Sequence, residues 1–384
     1  MENMEDLFVH IATKLHFGID TISLLGVTAA DTGSRIMLVY DPILQNNGIL
    51  EKAVTSLEEA GISPLMFDEA GPFSTSRSIE RGIELARKGQ VQCIIGLGGV
   101  STLSNAKAIA GFMKTHELLD PVFGMNEVDV DPVFFIGVPT SFRDSFMLTP
   151  RVLLIDARNR ISKIVSMKNF STHTIIMDPS LCEYLSPGIV RSTIIEILMQ
   201  NMEGYFSTAS NFITHSLFLR SIDICLEILN GINKEKSEGI TLKACQAGLL
   251  SGLGFSMARL GFAAAIAYSV NGLHQVPSSS ISTLLLPYLL EYARDVCPDK
   301  LLRIGPIINP ETRNKEHGEA VDLIIDSLRL LLGTLDLPMR LSQYDIQTHH
   351  LALIARTAAD IGVMGYLPMP LTIDELMVIL KKAL

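Results

Sequence analysis

Short apolar runs alternate with amphipathic segments over the first 180 residues of the chain. The apolar runs predict strands at 35–40, 65–67, 91–96, 133–138, 152–155 and 174–177. The segments between them predict helices at 51–60, 76–88 and 101–112, and the first two end just before a glycine, as helices commonly do. Strand–helix alternation predicts a parallel sheet covered by helices, with ligands at the carboxyl ends of its strands.

The strand pattern disappears after about residue 180. Helical periodicity takes its place and predicts helices at 190–206, 213–229, 242–269, 280–294, 320–331, 349–358 and 373–382. The predicted fold is therefore an α/β N-terminal domain with a parallel sheet over residues 1–180, followed by an all-α domain over residues 181–384.

Composition limits the classes of protein that fit this pattern. Hydrophobic residues make up 48% of the 384 residues, which is enough for a large core, and the formal net charge of −10 disfavours nucleic acids and anionic membranes as partners. The five cysteines are widely spaced, which is typical of reduced thiols, and the first residues are acidic where a secretion signal would be basic. We therefore expect a cytoplasmic protein.

One long stretch is apolar enough to raise the question of a membrane. Residues 244–290 carry a single charge, Arg259, but glycines, Asn271, Pro277 and a serine run interrupt the stretch. A membrane helix needs about 20 uninterrupted apolar residues, so we expect buried helices and no membrane contact.

The sharpest local feature is a glycine-rich turn, G-L-G-G-V-S, from Gly96 to Ser101, between a predicted strand and a predicted helix. Such a turn lets backbone N–H groups approach a pyrophosphate, and Ser101 could cap the helix and donate to phosphate. The alternative is an ordinary strand-to-helix turn. Asp41, after an earlier strand, could bind a ribose hydroxyl and repel a 2′-phosphate, or form only an Asp-Pro turn with Pro42.

The segment 96–107, G-L-G-G-V-S-T-L-S-N-A-K, resembles the G-x-G-G-G-S-x-x-D-x-A-K motif of the iron-containing alcohol dehydrogenase family. Other segments resemble the family in the same order: 15–18 (L-H-F-G), 138–140 (V-P-T), 178–181 (D-P-S-L), 185–187 (L-S-P), 337–346 and 368–384. Because the resemblance runs the length of the chain, it implies the family's fold.

This resemblance implies a Rossmann-like N-terminal domain that binds NAD or NADP and a helical domain that holds metal and substrate. Family members hold a divalent metal, usually iron or zinc, with one Asp and three His. The metal polarises the alcohol or carbonyl oxygen while hydride passes to or from the nicotinamide.

The positions that correspond to the metal ligands carry other side chains, namely Glu196, Gln200, Ala264 and Ser278. A carboxylate could still bind a metal, but the amide is a poor ligand, the alanine offers none and the hydroxyl is weak. We therefore expect no metal bound in the family's manner.

The cofactor positions are changed more selectively. The residues expected to bind NAD(P) are Asp41, Gly98, Gly99, Ser101, Thr140, Ser141 and Lys163. Against this, the third motif glycine is Val100, the motif Asp is Ser104, and F-R-D-S-F-M at 142–147 replaces the family's A-G-T-G-S-E. Arg143 in that segment could pair with a phosphate or with the adjacent Asp144.

Two side chains are candidates for metal-free proton transfer, Tyr268 and His274. Tyr268 corresponds to a family His near the substrate, and His274 lies one position before another common family His. With Glu196 they could line the cleft; the alternative is a packed tyrosine and a histidine without a chemical role. His349 and His350 are interpreted as a surface pair.

Two functions follow, and different metal-free chemistry in the same cleft is a third possibility. The first is an NAD(P)-dependent oxidoreductase that interconverts alcohols and aldehydes on a scaffold that has lost the family's metal site. The second is a non-catalytic relative that binds a ligand or a protein partner. The expected ligand is a small-molecule substrate or a nucleotide, and the resemblance allows a homodimer because dimers are common among relatives.

Overall fold

The computed structural model describes residue 7 and residues 9–70, 73–115, 119–231 and 239–384. The strands are β1 (Lys14–Phe17), β2 (Ile36–Tyr40), β3 (Leu65–Phe67), β4 (Cys93–Gly98), β5 (Glu127–Asp129), β6 (Phe134–Pro139), β7 (Arg151–Ile155), β8 (Ser162–Lys168) and β9 (Thr174–Met177). The α-helices are α1 (Leu25–Ala30), α2 (Ile49–Glu59), α3 (Ser76–Lys88), α4 (Val100–Phe112), α5 (Pro187–Phe206), α6 (Phe212–Gly231), α7 (Ile240–Met257), α8 (Phe262–His274), α9 (Ser278–Val296), α10 (Pro298–Ile308), α11 (His317–Gly333), α12 (Leu351–Asp360) and α13 (Ile373–Ala383).

Six strands form one parallel sheet in the order β1-β9-β6-β4-β2-β3. Strands β2 and β4 are fully buried because apolar clusters cover both faces, one around Ile94 and Ile109 and the other around Leu38 and Ile95. Burial on both faces accounts for the continuous apolar runs in the sequence. The predicted parallel sheet is confirmed.

A second, smaller sheet was not predicted. It has three strands in the order β5-β8-β7, with β8 parallel to β5 and antiparallel to β7. The sequence of β8, S-K-I-V-S-M-K, has lysines at its second and last positions and one serine between apolar residues, so it lacks a continuous apolar run.

Helices account for the regular structure after residue 186, which confirms the predicted α/β plus all-α fold. At the centre is α5, whose residues from Ser192 to Phe206 are all buried. It packs against α6, α7, α8 and α9. A helix that is covered on every side shows little amphipathic periodicity, because no face of it meets water.

The predicted single helix at 242–269 is wrong, because the structure has two helices there with a 105° bend between them. The first ends at Met257, where Ala258 is already extended, and the second begins at Phe262. The side chain of Glu203 accepts hydrogen bonds from the N–H groups of Ala263 and Ala264, so a residue from α5 caps the new helix. Helix α10 was also missed.

No single described helix combines the length and hydropathy that a membrane crossing requires. Only α7 and α8 taken together reach that composition, across their bend. Many of their residues belong to the core cluster of the helical region.

Candidate active site

A cavity of about 330 Å³ lies where the carboxyl ends of the sheet strands face the helical region. From the sheet side it is lined by Asp41, Gly99, Val100, Ser101 and Ser141. Arg143, Thr193, Tyr268, Asn271 and Ser278 line it from the facing loop and helices. The cleft therefore joins the glycine turn to Tyr268 and Ser278, two of the residues at positions that correspond to the family's substrate and metal sites.

The glycine turn sets the sheet side of this cleft. Gly98 has φ +157°, and a Cβ there would lie 2.7 Å from the Cβ of Thr102, so a larger residue would strain the turn. Gly99 is the N-cap of α4, with φ −76°, and nothing lies within 4 Å of an added Cβ. The first N–H groups of α4 have no partner within the helix and face a cavity suited to an anion.

Two predicted roles differ in detail from the structure. Ser101 does not cap α4, because the N-cap is Gly99 and makes no side-chain cap bond; Ser101 does line the cavity. The carboxylate of Asp41 accepts from the N–H of Ile43 at 3.2 Å, which is the turn-forming alternative, yet Asp41 also lines the cavity. The turn and the cavity wall are therefore made by the same residue.

The other predicted cofactor residues are dispersed. Ser141 lines the cavity, whereas Thr140 is buried with its hydroxyl 3.1 Å from that of Tyr184. Lys163 is not part of the cavity lining, and its ammonium donates to the carbonyl of Asp360 at 3.1 Å. Only part of the predicted set is brought together around the cavity.

The loop over residues 140–149 carries Arg143 into the cleft and is held from two sides. The ammonium of Lys107, on α4, donates to the carbonyls of Phe146 and Thr149 at 2.7 and 2.5 Å. On the other side, a Cβ at Gly248 of α7 would lie 1.5 Å from the carbonyl oxygen of Phe142. Only glycine permits that close approach, so the sequences of α4 and α7 together fix the loop.

A buried ion pair dominates the helical side of the cleft. The Nε of Arg143 lies 2.5 Å from a carboxylate oxygen of Glu196, and its Nη2 donates to the hydroxyl of Ser278 at 3.0 Å. Glu196 is fully buried, and 13% of the Arg143 side chain is exposed. Asp144, one of the two partners considered for Arg143, accepts from the N–H of Phe146.

Gln200 organises the remaining polar groups. The hydroxyl of Ser145 donates to the Gln200 carbonyl oxygen at 2.6 Å, so the amide NH₂ points the other way. That NH₂ donates to Glu196 at 3.3 Å and to the Tyr268 hydroxyl oxygen at 3.1 Å. Tyr268 therefore accepts here, and its own proton is free to point to another acceptor.

Burial sets the electrostatics of this network. Burial raises the pKa of Glu196, and the Arg143 guanidinium opposes that rise. Burial likewise raises the pKa of Tyr268, so its hydroxyl stays protonated at neutral pH. Burial lowers the pKa of Lys107 to about 7, with Asp144 opposing the change. A guanidinium does not lose its proton under these conditions, so Arg143 is the fixed cation of the cleft.

His274 does not join Tyr268 at the cavity. Its ring lies 4.6 Å from that of His350, which lies 3.9 Å from that of His349. Among the described residues, no group of three or more His, Cys, Asp or Glu side chains is arranged to hold a metal ion.

Sequence reasoning missed the pairing of Arg143 with Glu196 and the central position of Gln200. Arg143 lies on a loop about 50 residues before Glu196 and Gln200, which share helix α5, and no local pattern relates the arginine to that helix. The one available signal was that arginine, glutamate and glutamine all fall at family positions that normally carry other residues.

Comparison with known proteins identifies the family to which the chain is similar. Residues 12–179 match the model of the iron-containing alcohol dehydrogenase family, and residues 190–384 match that of its C-terminal domain. Alcohol dehydrogenase 4 of Saccharomyces cerevisiae is 25% identical over 350 residues, covering 91% of each chain. The 1,3-propanediol dehydrogenase of Citrobacter freundii is 26% identical over 355 residues, covering 90% of each chain.

Solved structures agree on the fold. A 1,3-propanediol oxidoreductase superposes with a TM-score of 0.91 at 21% identity, covering 99% of this chain and all of that one. An alcohol dehydrogenase from Oenococcus oeni superposes with a TM-score of 0.89 at 22% identity, covering 97% of this chain and 98% of that one. Both halves of the chain match the family in order, so the chain belongs to the iron-containing alcohol dehydrogenase family.

Proposed function

We propose that this protein is an NAD(P)-dependent oxidoreductase that interconverts a small alcohol and its aldehyde without a metal bound in the family's manner. The observation that carries this proposal is that the glycine turn, Arg143 and Tyr268 open into one cavity. A dinucleotide, a fixed cation and a proton donor would then meet at one place.

The residues of the sheet side fit a dinucleotide. Gly98, Gly99 and Ser101 would receive the pyrophosphate at the N-terminus of α4, and Asp41 would face a ribose hydroxyl. Bound there, the dinucleotide supplies or accepts the hydride. Because the Asp41 carboxylate would repel a 2′-phosphate, NAD is expected to bind more tightly than NADP.

The residues of the helical side do not fit the family's metal. Ala264 has no donor atom, Gln200 and Ser278 are neutral, and the only carboxylate of the four is already paired with a guanidinium. A divalent cation beside Glu196 would be repelled by Arg143 at close range. No step of the proposed reaction therefore depends on a metal.

Arg143 supplies the positive charge instead. Glu196 and Ser278 occupy two of its N–H groups, and a guanidinium has five, so others remain to bind a substrate oxygen. They would polarise a carbonyl and stabilise the negative charge that develops on its oxygen during reduction.

Tyr268 supplies the proton. Gln200 donates to its oxygen, which leaves the hydroxyl proton for the substrate oxygen as the alcohol forms. The tyrosinate then regains a proton from solvent, so the proton balance closes. In the direction of oxidation the hydroxyl first loses its proton to solvent, and the tyrosinate oxygen then accepts the alcohol proton.

Calorimetric titration of metal-stripped protein with NADH and NADPH is the first test. We expect NADH to bind, and Gly99→Asp to abolish binding by placing a carboxylate in the phosphate position. Gly318→Asp is the matched control, because Gly318 is also in the first turn of a helix and has open space around it. Equal binding by all three proteins would place the nucleotide elsewhere.

Turnover is the second test. Reduction of short aldehydes by NADH should persist in chelator, and Tyr268→Phe should lower kcat about 100-fold. The control is Tyr288→Phe, a half-buried tyrosine outside the cavity lining. Chelator-sensitive turnover would overturn the metal-free mechanism.

One observation favours the alternative, a ligand-binding protein without catalysis. Val100 replaces a motif glycine and lines the cavity where a phosphate would approach. If neither NADH nor NADPH binds, no hydride donor is available, and this alternative is preferred.

A further inference from the structure

A second cavity, of about 340 Å³, contains two arginines, Arg151 and Arg259. Phe146, Ser166 and Tyr366 also line it. We call it the arginine pocket. It is distinct from the cleft cavity, and no predicted or proposed catalytic residue lines it.

The two guanidinium groups converge on one end of α7. Arg151 donates to the carbonyls of Phe255 at 2.6 Å and Ala258 at 3.5 Å. Arg259 donates to the same Ala258 carbonyl at 2.9 Å. Two positive charges thus share one acceptor.

Their charge is only partly balanced. Neither guanidinium lies within 4 Å of a carboxylate among the residues that the structure describes. The C-terminus of a helix offers about half a negative charge, so about 1.5 positive charges remain. Burial and repulsion by Arg259 together lower the pKa of Arg151 to about 9, which is the cost of holding the pair without a counterion.

The other lining groups suit an oxyanion. The guanidinium of Arg259 lies 5.3 Å from the ring centre of Tyr366, which steadies it at the mouth of the pocket. The Ser166 hydroxyl also lines the pocket, where it can donate a hydrogen bond. Glu127 is the one acidic lining residue; it is exposed and pairs with neither arginine.

The pocket and the cleft meet at one pair of rings. Phe146 lines the arginine pocket, Tyr268 lines the cleft, and their ring centres are 6.2 Å apart. Both rings are buried, so a small molecule held by its anionic end in the pocket would have to displace the Phe146 ring to bring its other end to Tyr268.

We propose that Arg151 and Arg259 bind an oxyanion group, a carboxylate, phosphate or sulfonate, and that this group is the anionic end of the substrate. The first part depends only on the pocket. The second rests on the proposed function and narrows its substrates to small aldehydes or alcohols that carry such a group.

Anion binding is tested without turnover. Sodium sulfate and inorganic phosphate, at ionic strength matched with sodium chloride, should raise the Tm of the protein. Arg259→Gln should remove that rise, and so should Arg151→Gln if it folds. Arg77→Gln, which removes an exposed arginine from α3, should keep it. No rise in the wild type, or an equal rise in Arg259→Gln, would overturn the anion site.

Substrate preference shows whether the bound anion is part of the substrate or a free ion. With NADH, a four-carbon aldehyde with a terminal carboxylate should have a KM at least about tenfold below that of butanal, since a charged hydrogen bond contributes that much. Arg259→Gln should erase the difference through KM, with kcat largely kept. If sulfate binding needs Arg259 but the preference does not, the pocket binds a free anion and the substrate assignment is wrong.

The two proposals fail separately. Anion binding that needs Arg259, with no turnover of any aldehyde, overturns the oxidoreductase and keeps the pocket. Turnover of an aldehyde without anion binding keeps the oxidoreductase and overturns the pocket.

Discussion

The sheet side of the cleft is made mainly of backbone, whereas the helical side is made of interlocked side chains. On the sheet side, Gly98 and Gly99 shape a turn whose N–H groups face the cavity. On the helical side, Arg143, Glu196 and Gln200 come from a loop and a helix and depend on each other's charge and hydrogen bonds. The two sides can therefore change in different ways.

A backbone site tolerates substitutions that leave its backbone path unchanged, such as Val100 for glycine. A side-chain site does not tolerate single substitutions, because each group balances the charge or satisfies the hydrogen bonds of another. An uncompensated Glu196 would be a buried charge, and an uncompensated Gln200 a buried polar group. On the helical side the charge of Glu196 is balanced by Arg143, and Gln200 is hydrogen-bonded through both its carbonyl oxygen and its NH₂ group.

The largest expected effect tests that balance. Arg143→Met should destabilise the protein by about 3–5 kcal/mol, because it leaves the Glu196 carboxylate buried without a partner. The double variant Arg143→Met/Glu196→Gln should recover more than half of the loss. Urea unfolding measures both.

An exposed pair provides the control. Arg81 and Glu69 form an ion pair in which about half of each side chain is exposed, so Arg81→Met should cost less than about 1 kcal/mol. If Arg143→Met costs no more than Arg81→Met, the ion pair does not hold the helical side together.

The second prediction concerns pH and the cap of α8. Burial raises the pKa of Glu203 from its ordinary value of 4.5 to about 7. The unfolded chain therefore loses this proton first, and the stability that the protonated group contributes below pH 4.5 is lost as pH rises to 7. The loss is about 3 kcal/mol for a shift of this size.

Glu203→Gln should lack that loss, since an amide does not titrate. Its stability relative to the wild type should rise between pH 4.5 and 7 and stay level above pH 7. Glu84→Gln, at an exposed helix position, should follow the wild type. Parallel curves for wild type and Glu203→Gln would show that the carboxylate is not held in an apolar setting.

Glu203 also explains which part of the fold could not be predicted from the sequence. The sheet strands and helix α3 were predicted closely because their signals are local: apolar runs for the strands, and an amphipathic segment followed by a glycine for the helix. The break between α7 and α8 was not, because the cap comes from Glu203, about 60 residues earlier. A contact across the fold leaves no pattern in the segment that it interrupts.

Some of the residues predicted for the candidate site line the cavity, and others do not. The glycine turn was predicted from a local motif and Tyr268 from its correspondence to a family His, and both line the cavity. His274 and Lys163 were placed there by their alignment alone, and the structure puts them elsewhere. The domain boundary near residue 180, the cytoplasmic location and a homodimer stay predictions.

The smallest expected effect separates two neighbouring glycines on the sheet side. Gly98→Ala should cost about 1–3 kcal/mol, because its φ is positive and the new Cβ would meet Thr102. Gly99→Ala should change stability by less than about 0.5 kcal/mol, because a poorer N-cap is offset by a less flexible unfolded chain. Urea unfolding of the two variants measures the difference. Equal costs would mean that the turn is not fixed by backbone geometry at Gly98, and the contrast between a backbone side and a side-chain side of the cleft would lose its basis.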